Sequence, residues 1–414
     1  MLRGAWTKGL DRMLRQFVRS GTLQVVTPDG TAQTYGEGGA PMLTVRLADT
    51  SVVRHLVLNP ELALGEAYMN GTLTIDDDRL QELLALIVSN RDQTVRIWWQ
   101  RPLLNLRTAL RRHAQRNGSA RARRHVAHHY DLSGQLYDLF LDEDRQYSCG
   151  YFRNPTDTLK HAQARKKEHI GRKLLLEPDM HVLDIGCGWG GMAMTLARDH
   201  DARVLGITLS EQQLATAKAR AAEAGLSDRV TFRLCDYRNV EGQFDRIVSV
   251  GMFEHVGLPH YDTYFRTINE HLTPDGIALV HTIGWTSPPD ATNPWIAKYI
   301  FPGGYVPTLS EVTRSVERSM LWYADVECWR MHYAYTLRHW FDRFTRNETQ
   351  VRALYDARFV RMWRFYLAAC EQTFRHGRQA VFQLQLSRQI DAVPLTRDYL
   401  YGDRSDATMR SAAE

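Results

Sequence analysis

Cysteine is scarce in this chain of 414 residues: Cys149, Cys187, Cys235, Cys328 and Cys370 are an odd number and form no CxxC pair. That argues against a disulfide framework or a structural zinc site and suits a reducing cytoplasm. No apolar run approaches the ~20 residues that span a bilayer. The N-terminus has neither the uncharged core nor the small-residue cleavage site of a signal peptide. Internal repeats and low-complexity tracts are missing too. What is there is the composition of a folded protein, with 44% hydrophobic and 24% charged residues. The length is enough for two or three domains.

The net charge of +5 is spread unevenly: Arg91 to Arg124 holds ten arginines, one acid (Asp92) and the pair Trp98 and Trp99. Charge runs are commonly solvated linkers. The tryptophans favour a surface that meets anionic lipid headgroups, with the rings at the interface. No stacking module or zinc-finger spacing supports nucleic acid as the partner.

Residues 1–90 read as a small α+β domain. Leu10, Met13, Leu14, Phe17 and Val18 fall at helical spacing among basic residues, a pattern that suits packing on its own domain or lying on a membrane. Strand-like segments follow from Leu23 to Ala48, with turns at Pro28-Asp-Gly30 and Gly36–Gly39, and a helix covers Leu80–Val88. After a basic linker at 91–125, the segment 126–400 alternates short apolar strands with helices, as a mostly parallel α/β sheet requires. The pattern predicts strands at 181–185, 203–207, 229–234, 244–250 and 277–283, with helices near 191–200, 210–224 and 261–272. Beyond Trp322 it predicts a largely helical tail that ends in a strand at Val381–Leu386.

The strand His181–Ile185 runs into Gly186-Cys-Gly-Trp-Gly-Gly191 and then a helix. Such glycines let the backbone turn sharply and a ligand approach amides at a helix N-terminus. Gly186, Gly188 and Gly191 also satisfy GxGxxG, the dinucleotide fingerprint. Yet Asp184 stands at the strand end in an Asp-x-Gly-x-Gly-x-Gly order that resembles class I methyltransferases, with Gly190 as its third glycine. The second strand, Gly206-Ile-Thr-Leu-Ser, ends without the acid that would hold a nicotinamide ribose. Thr208 and Gln213 are the residues expected to share that task. Asp236, followed by Tyr237 and Arg238, occupies the position that in methyltransferases meets the adenine amine. S-adenosylmethionine is the expected cofactor, in a Rossmann-like class I methyltransferase sheet.

Longer motifs narrow the reading. Gly206–Gln213, Phe244–Gly257, His281-Thr-Ile-Gly284, Trp295–Gly303, His129-Tyr-Asp-Leu-Ser133 and Tyr147-Ser-Cys-Gly-Tyr-Phe152 resemble the cyclopropane-fatty-acyl-phospholipid synthases and the mycolic acid cyclopropane synthases. The resemblance covers about 126–390, and more weakly Leu64–Gly71. It implies methylene transfer from S-adenosylmethionine to a cis double bond of a phospholipid acyl chain, through a carbocation and with bound bicarbonate as base. It also implies a sterol-carrier-like lipid-binding N-terminal domain, a homodimer, and peripheral association with the inner face of the membrane. By position, Cys149, His281 and Tyr333 would cradle bicarbonate beside the Ile283 backbone, Glu254 would orient it, and Tyr147 and Ser148 would meet the methionine end of the cofactor. Cys370 sits where a nucleophile has been considered, although this chemistry needs none.

The aromatic candidates for lining the path are Tyr147, Tyr151, Phe253, Tyr261, Tyr299 and Tyr305, since ring faces stabilise cations. His125, His128, His129 and Asp131 could ligate a metal by spacing, but the resembling family has that motif without one, so no metal is expected. The resemblance leaves open a methyl-branched product from the same cation. A lipid carrier with a silent methyltransferase domain is disfavoured by the intact glycines and complete cradle.

Overall fold

The computed structural model describes residues 2–38, 42–91, 115, 117 and 134–401. The arginine segment falls largely outside these residues, as do His125, His128, His129 and Asp131.

Near the N-terminus, strands β1 (Thr22–Val26), β2 (Ala32–Gly36), β3 (Met42–Leu47) and β4 (Leu73–Ile75) form a sheet in the order β2-β1-β3-β4. The pair β1–β3 is parallel, and the other two pairs are antiparallel. The basic amphipathic helix Leu2–Phe17 spends its apolar face here: Leu10, Met13 and Leu14 are buried in a cluster with Val25, Val45 and Val53. Packing on its own domain is the outcome for those residues. The helix Thr50–Leu58 starts where the Asp49 carboxylate caps the amides of Ser51 and Val52. Helices Pro60–Met69 and Leu80–Arg91 complete the unit.

The larger sheet contains β5 (His181–Ile185), β6 (Arg203–Thr208), β7 (Val230–Leu234), β8 (Phe244–Val250), β9 (Leu272–Trp285), β10 (Trp322–Trp329) and β11 (Gln379–Ser387). Its order is β10-β11-β9-β8-β5-β6-β7. Strands β5 to β9 are parallel, while β11 runs antiparallel to both β9 and β10. Val182, Leu183, Asp184 and Ile185 are buried in succession because helices cover both sheet faces. This mixed α/β sheet is the class I methyltransferase arrangement expected from the strand–helix alternation.

The tail beyond Trp322 is largely helical as expected, but it opens with a strand, Trp322–Trp329, that the sequence pattern does not single out. It is an edge strand whose mostly exposed residues lack the alternation that marks half-buried strands. The helices that were expected follow it, at His332–Arg346, Glu348–Leu354 and Ala357–His376, between β10 and β11.

The N-terminal unit and the sheet domain share a core. Tyr68, Met69, Leu80 and Leu84 lie in one apolar cluster with Trp295, Trp363 and Phe365. Trp295 Nε1 donates to Met69 Sδ at 3.1 Å, and the Glu66 carboxylate accepts from Lys298 and Tyr299, both at 2.7 Å. Among the described residues, no helix is long and apolar enough to cross a membrane.

Candidate active site

The C-terminal ends of β5, β6 and β8 open into a cleft, the usual place for a ligand in an open α/β sheet. The loop after β5 turns through Gly186, Gly188 and Gly190 at φ of +84°, +54° and +85°, a region costly for other residues. The amides of Gly186 and Cys187 donate to Ile207 O at 2.9 and 3.0 Å, which ties the loop to β6. A side chain at Gly186 would meet Met252 Cβ at 2.7 Å, whereas the space beside Gly188 is open. Gly190 departs from expectation. It does not line the cleft; its missing Cβ makes room for Phe232 and Ala217 beneath the helix Gly191–His200.

Ten of the residues expected to hold a cofactor do line the cleft: Tyr147, Ser148, Asp184, Gly186, Gly188, Thr208, Gln213, Asp236, Tyr237 and Arg238. Thr208 Oγ1 donates to Gln213 Oε1 at 2.8 Å, so the pair offered in place of an acid acts as a unit. Asp236 is held by Arg238, whose Nε and Nη2 reach its two oxygens at 2.8 and 2.6 Å. Tyr237, under the Arg238 guanidinium, is pushed up to about 12 by burial. Asp184 is buried with Oδ2 unpartnered, and burial raises its pKa to about 7. A shaped floor with one orphaned carboxylate oxygen, a hydroxyl–amide pair and an acid at the far end suits a ligand carrying amine, ribose and adenine donors.

Several contributors escaped the sequence reading. Arg145, Gln146, Asn117 and His255 also line the cleft. Asp144 accepts from Lys167 and Arg220, and Arg220 Nη1 donates to Trp189 O at 2.7 Å, which pins the glycine loop from behind. Lys166 is fully buried, with Nζ donating to Gln146 Oε1 at 2.6 Å and Ser148 Oγ at 2.7 Å. The acidic run Asp142–Asp144, next to Tyr147, was a signal for part of this. Lys166 gave none, because Lys166-Lys-Glu reads as a solvated helix face.

None of the five expected catalytic side chains lines the cleft itself, although Gly251, Met252 and His255 around Glu254 do. Glu254 Oε1 accepts from Ile283 N at 2.6 Å, so that amide is engaged by the carboxyl rather than left open. Glu254 Oε2 is buried without a partner, and burial lifts the group to about 7. On β9, two residues before Ile283, His281 is buried beside Gln383 Nε2 at 3.0 Å. Its pKa is well below the usual range, through burial and then the nearby Lys166. Cys149, Tyr333 and Cys370 belong with Tyr147 and Ile283 to one apolar cluster. Burial raises both thiols, Cys370 to about 12. A hydroxyl contact at 2.9 Å between Tyr147 and Tyr366 joins cleft to cluster.

The aromatic candidates divide. Tyr147 borders the cleft, and Tyr151 stacks between His169 and His332 at 4.7 and 5.0 Å. Phe253, Tyr261 and Tyr305 are core packing, and Tyr299 faces the N-terminal unit through Glu66. Among the described residues, no cluster of His, Cys, Asp and Glu could hold a metal.

Residues 117–384 match the family model described as mycolic acid cyclopropane synthetase. The chain belongs to that family. It is an S-adenosylmethionine-dependent methyltransferase, in agreement with the cleft. Residues 10–97 match a second model, DUF7884, a domain of unknown function. The chain is 38% identical over 364 residues to the cyclopropane-fatty-acyl-phospholipid synthase of Escherichia coli strain K12, covering 86% of this chain and 90% of that protein. It is 35% identical over 397 residues to the tuberculostearic acid methyltransferase UfaA1 of Mycobacterium tuberculosis, covering 92% and 91%. Among solved structures it resembles the mycolic acid cyclopropane synthase CmaA1 complexed with S-adenosylhomocysteine and CTAB. That match has a TM-score of 0.61 and 32% identity, covering 64% of this chain and 97% of that one.

Proposed function

We propose that this enzyme converts a cis double bond of an unsaturated phospholipid acyl chain into a cyclopropane. S-adenosylmethionine, when bound, supplies an electrophilic methyl group on a sulfonium. The alkene carbon takes the methyl as the carbon–sulfur bond breaks, which leaves a cation on the acyl chain. Loss of a proton from the added methyl then lets the electron pair of that C–H bond close the ring. The alkene is a weak nucleophile, so positioning and exclusion of water carry much of the rate. The apolar cluster around Tyr147, Tyr333 and Tyr366 suits both needs, and its ring faces favour the cation.

The observation that carries this reading is the Tyr147–Tyr366 contact, which sets the cofactor cleft beside an apolar cluster containing Cys149, Tyr333 and Cys370. Cys149, His281 and Tyr333 are the residues to hold bicarbonate, which would supply the base. Glu254, with its carboxyl poised near neutrality, would share a proton with it and relay that proton onward. Cys370, with its raised thiol, suits packing better than attack.

Residues 1–90 serve in this reading as the lipid-binding domain, 91–125 as a basic contact with anionic headgroups on the inner membrane face, and 126–400 as the catalytic domain, in a dimer. A methyl-branched product is the second reading, favoured by the likeness to the tuberculostearic acid methyltransferase. Incubation with labelled S-adenosylmethionine and vesicles of unsaturated phospholipid tests both. Proton NMR signals of a ring methylene are expected; a branched methyl signal would select the second reading, and no label in lipid would reject both.

A further inference from the structure

Lys166 lies on the helix Leu159–Leu174 with none of its surface exposed. The next residue, Lys167, takes the Asp144 carboxylate as its ion-pair partner. Lys166 instead points its ammonium at two neutral oxygens, Gln146 Oε1 and Ser148 Oγ. A buried cation is costly, and burial lowers this one to about 7 against the pull of Asp142 and Asp144. Stability alone therefore gives no reason for a lysine here.

Both acceptors line the cofactor cleft. Their backbone is held separately: Gln146 N donates to Asp142 Oδ1 and Gln163 Nε2 donates to Ser148 O, each at 2.9 Å. What the lysine adds is side-chain polarity. Gln146 is fixed at both ends, with Nε2 donating to Asp144 Oδ2 at 3.1 Å. Ser148, once its oxygen accepts from Lys166, has its own O–H left to donate.

We propose that Lys166 is a positioning residue for the cofactor: by accepting from the ammonium, Ser148 Oγ is turned into a donor toward the carboxylate of bound S-adenosylmethionine. The proposal rests on the cofactor cleft and not on the acyl chemistry. Its test therefore contains no lipid. Calorimetric titration would compare S-adenosylhomocysteine, which has that carboxylate, with 5′-methylthioadenosine, which lacks it.

Lys166→Met is expected to weaken S-adenosylhomocysteine about tenfold, the worth of one charge-assisted hydrogen bond, and methylthioadenosine less than about twofold. Ser148→Ala should show the same selective loss, and the double variant should be no weaker than Ser148→Ala alone. Lys166→Gln keeps an N–H donor and should recover part of the affinity. It also replaces Lys166→Met in the test should that variant fail to fold. Equal weakening of both ligands, unchanged S-adenosylhomocysteine binding, or multiplying effects in the double variant would overturn the proposal. Failure of the unmodified chain to bind S-adenosylhomocysteine would instead strike the cofactor reading itself.

Discussion

Glutamine in place of Glu254 changes one titratable group and almost no shape. The carboxyl is buried, with one oxygen held by Ile283 N at 2.6 Å and the other unpartnered. Burial raises its pKa from 4.5 to about 7 despite the Ile283 amide, so the folded chain binds this proton more tightly than the unfolded chain does. The stabilisation from that proton is therefore complete below pH 4.5 and is lost as pH rises to about 7. At 1.36 kcal/mol per pKa unit, the difference amounts to about 3 kcal/mol. Glutamine carries no such proton, and any constant effect of its amide cancels between two pH values. The melting temperature of Glu254→Gln, relative to the parent, should thus climb between pH 4.5 and 7 and level off above. Circular dichroism melts across pH 4.5–8 measure it. In the same variant, S-adenosylhomocysteine binding should hold within about twofold while turnover falls at least about a hundredfold, as for a lost acid–base group. Parallel melting curves across the pH range would refute the burial argument. Full turnover would remove Glu254 from the chemistry.

Gly186→Ala should lose cofactor affinity by calorimetry and about 1–3 kcal/mol of stability, because φ is +84° and the new methyl meets Met252 Cβ at 2.7 Å. A Cβ at Gly65 would collide with the Trp295 indole, so Gly65→Val should separate the N-terminal unit from its partner helices and cost about 1–3 kcal/mol in thermal melts. Glutamine in place of the arginines of 91–124 should weaken binding to anionic vesicles by up to about 1 kcal/mol per residue near the surface, with added salt having the same effect on the parent. Unchanged sedimentation with vesicles would leave that segment a linker.

The glycine loop and its strand were readable in advance because local chemistry dictates them. A run such as Asp184–Gly191, between an apolar strand and a helix, has few backbone solutions, and those solutions build the same cleft each time. Thr208 and Asp236 followed from their places at or just beyond strand ends, and Gln213 from its place in the first turn of the helix after β6. Gly190 shows the limit of that reading: a positive φ says only that a side chain is unwelcome, and it is the packing of Phe232 and Ala217 that fills the space here. The strand Trp322–Trp329 was missed because an exposed edge carries no alternation to read.

Local pattern, then, determined the parallel sheet, the glycine turn, the adjoining acids and the basic segment, since each depends on residues near one another in sequence. Tertiary closure alone decided that Lys166 is buried under Ser148, that Glu254, in the turn after β8, meets the Ile283 amide on β9, and that Tyr147 touches Tyr366. Burial and unpartnered atoms depend on what arrives from distant parts of the chain. The pKa values that give these side chains their chemistry are therefore properties of the assembled core.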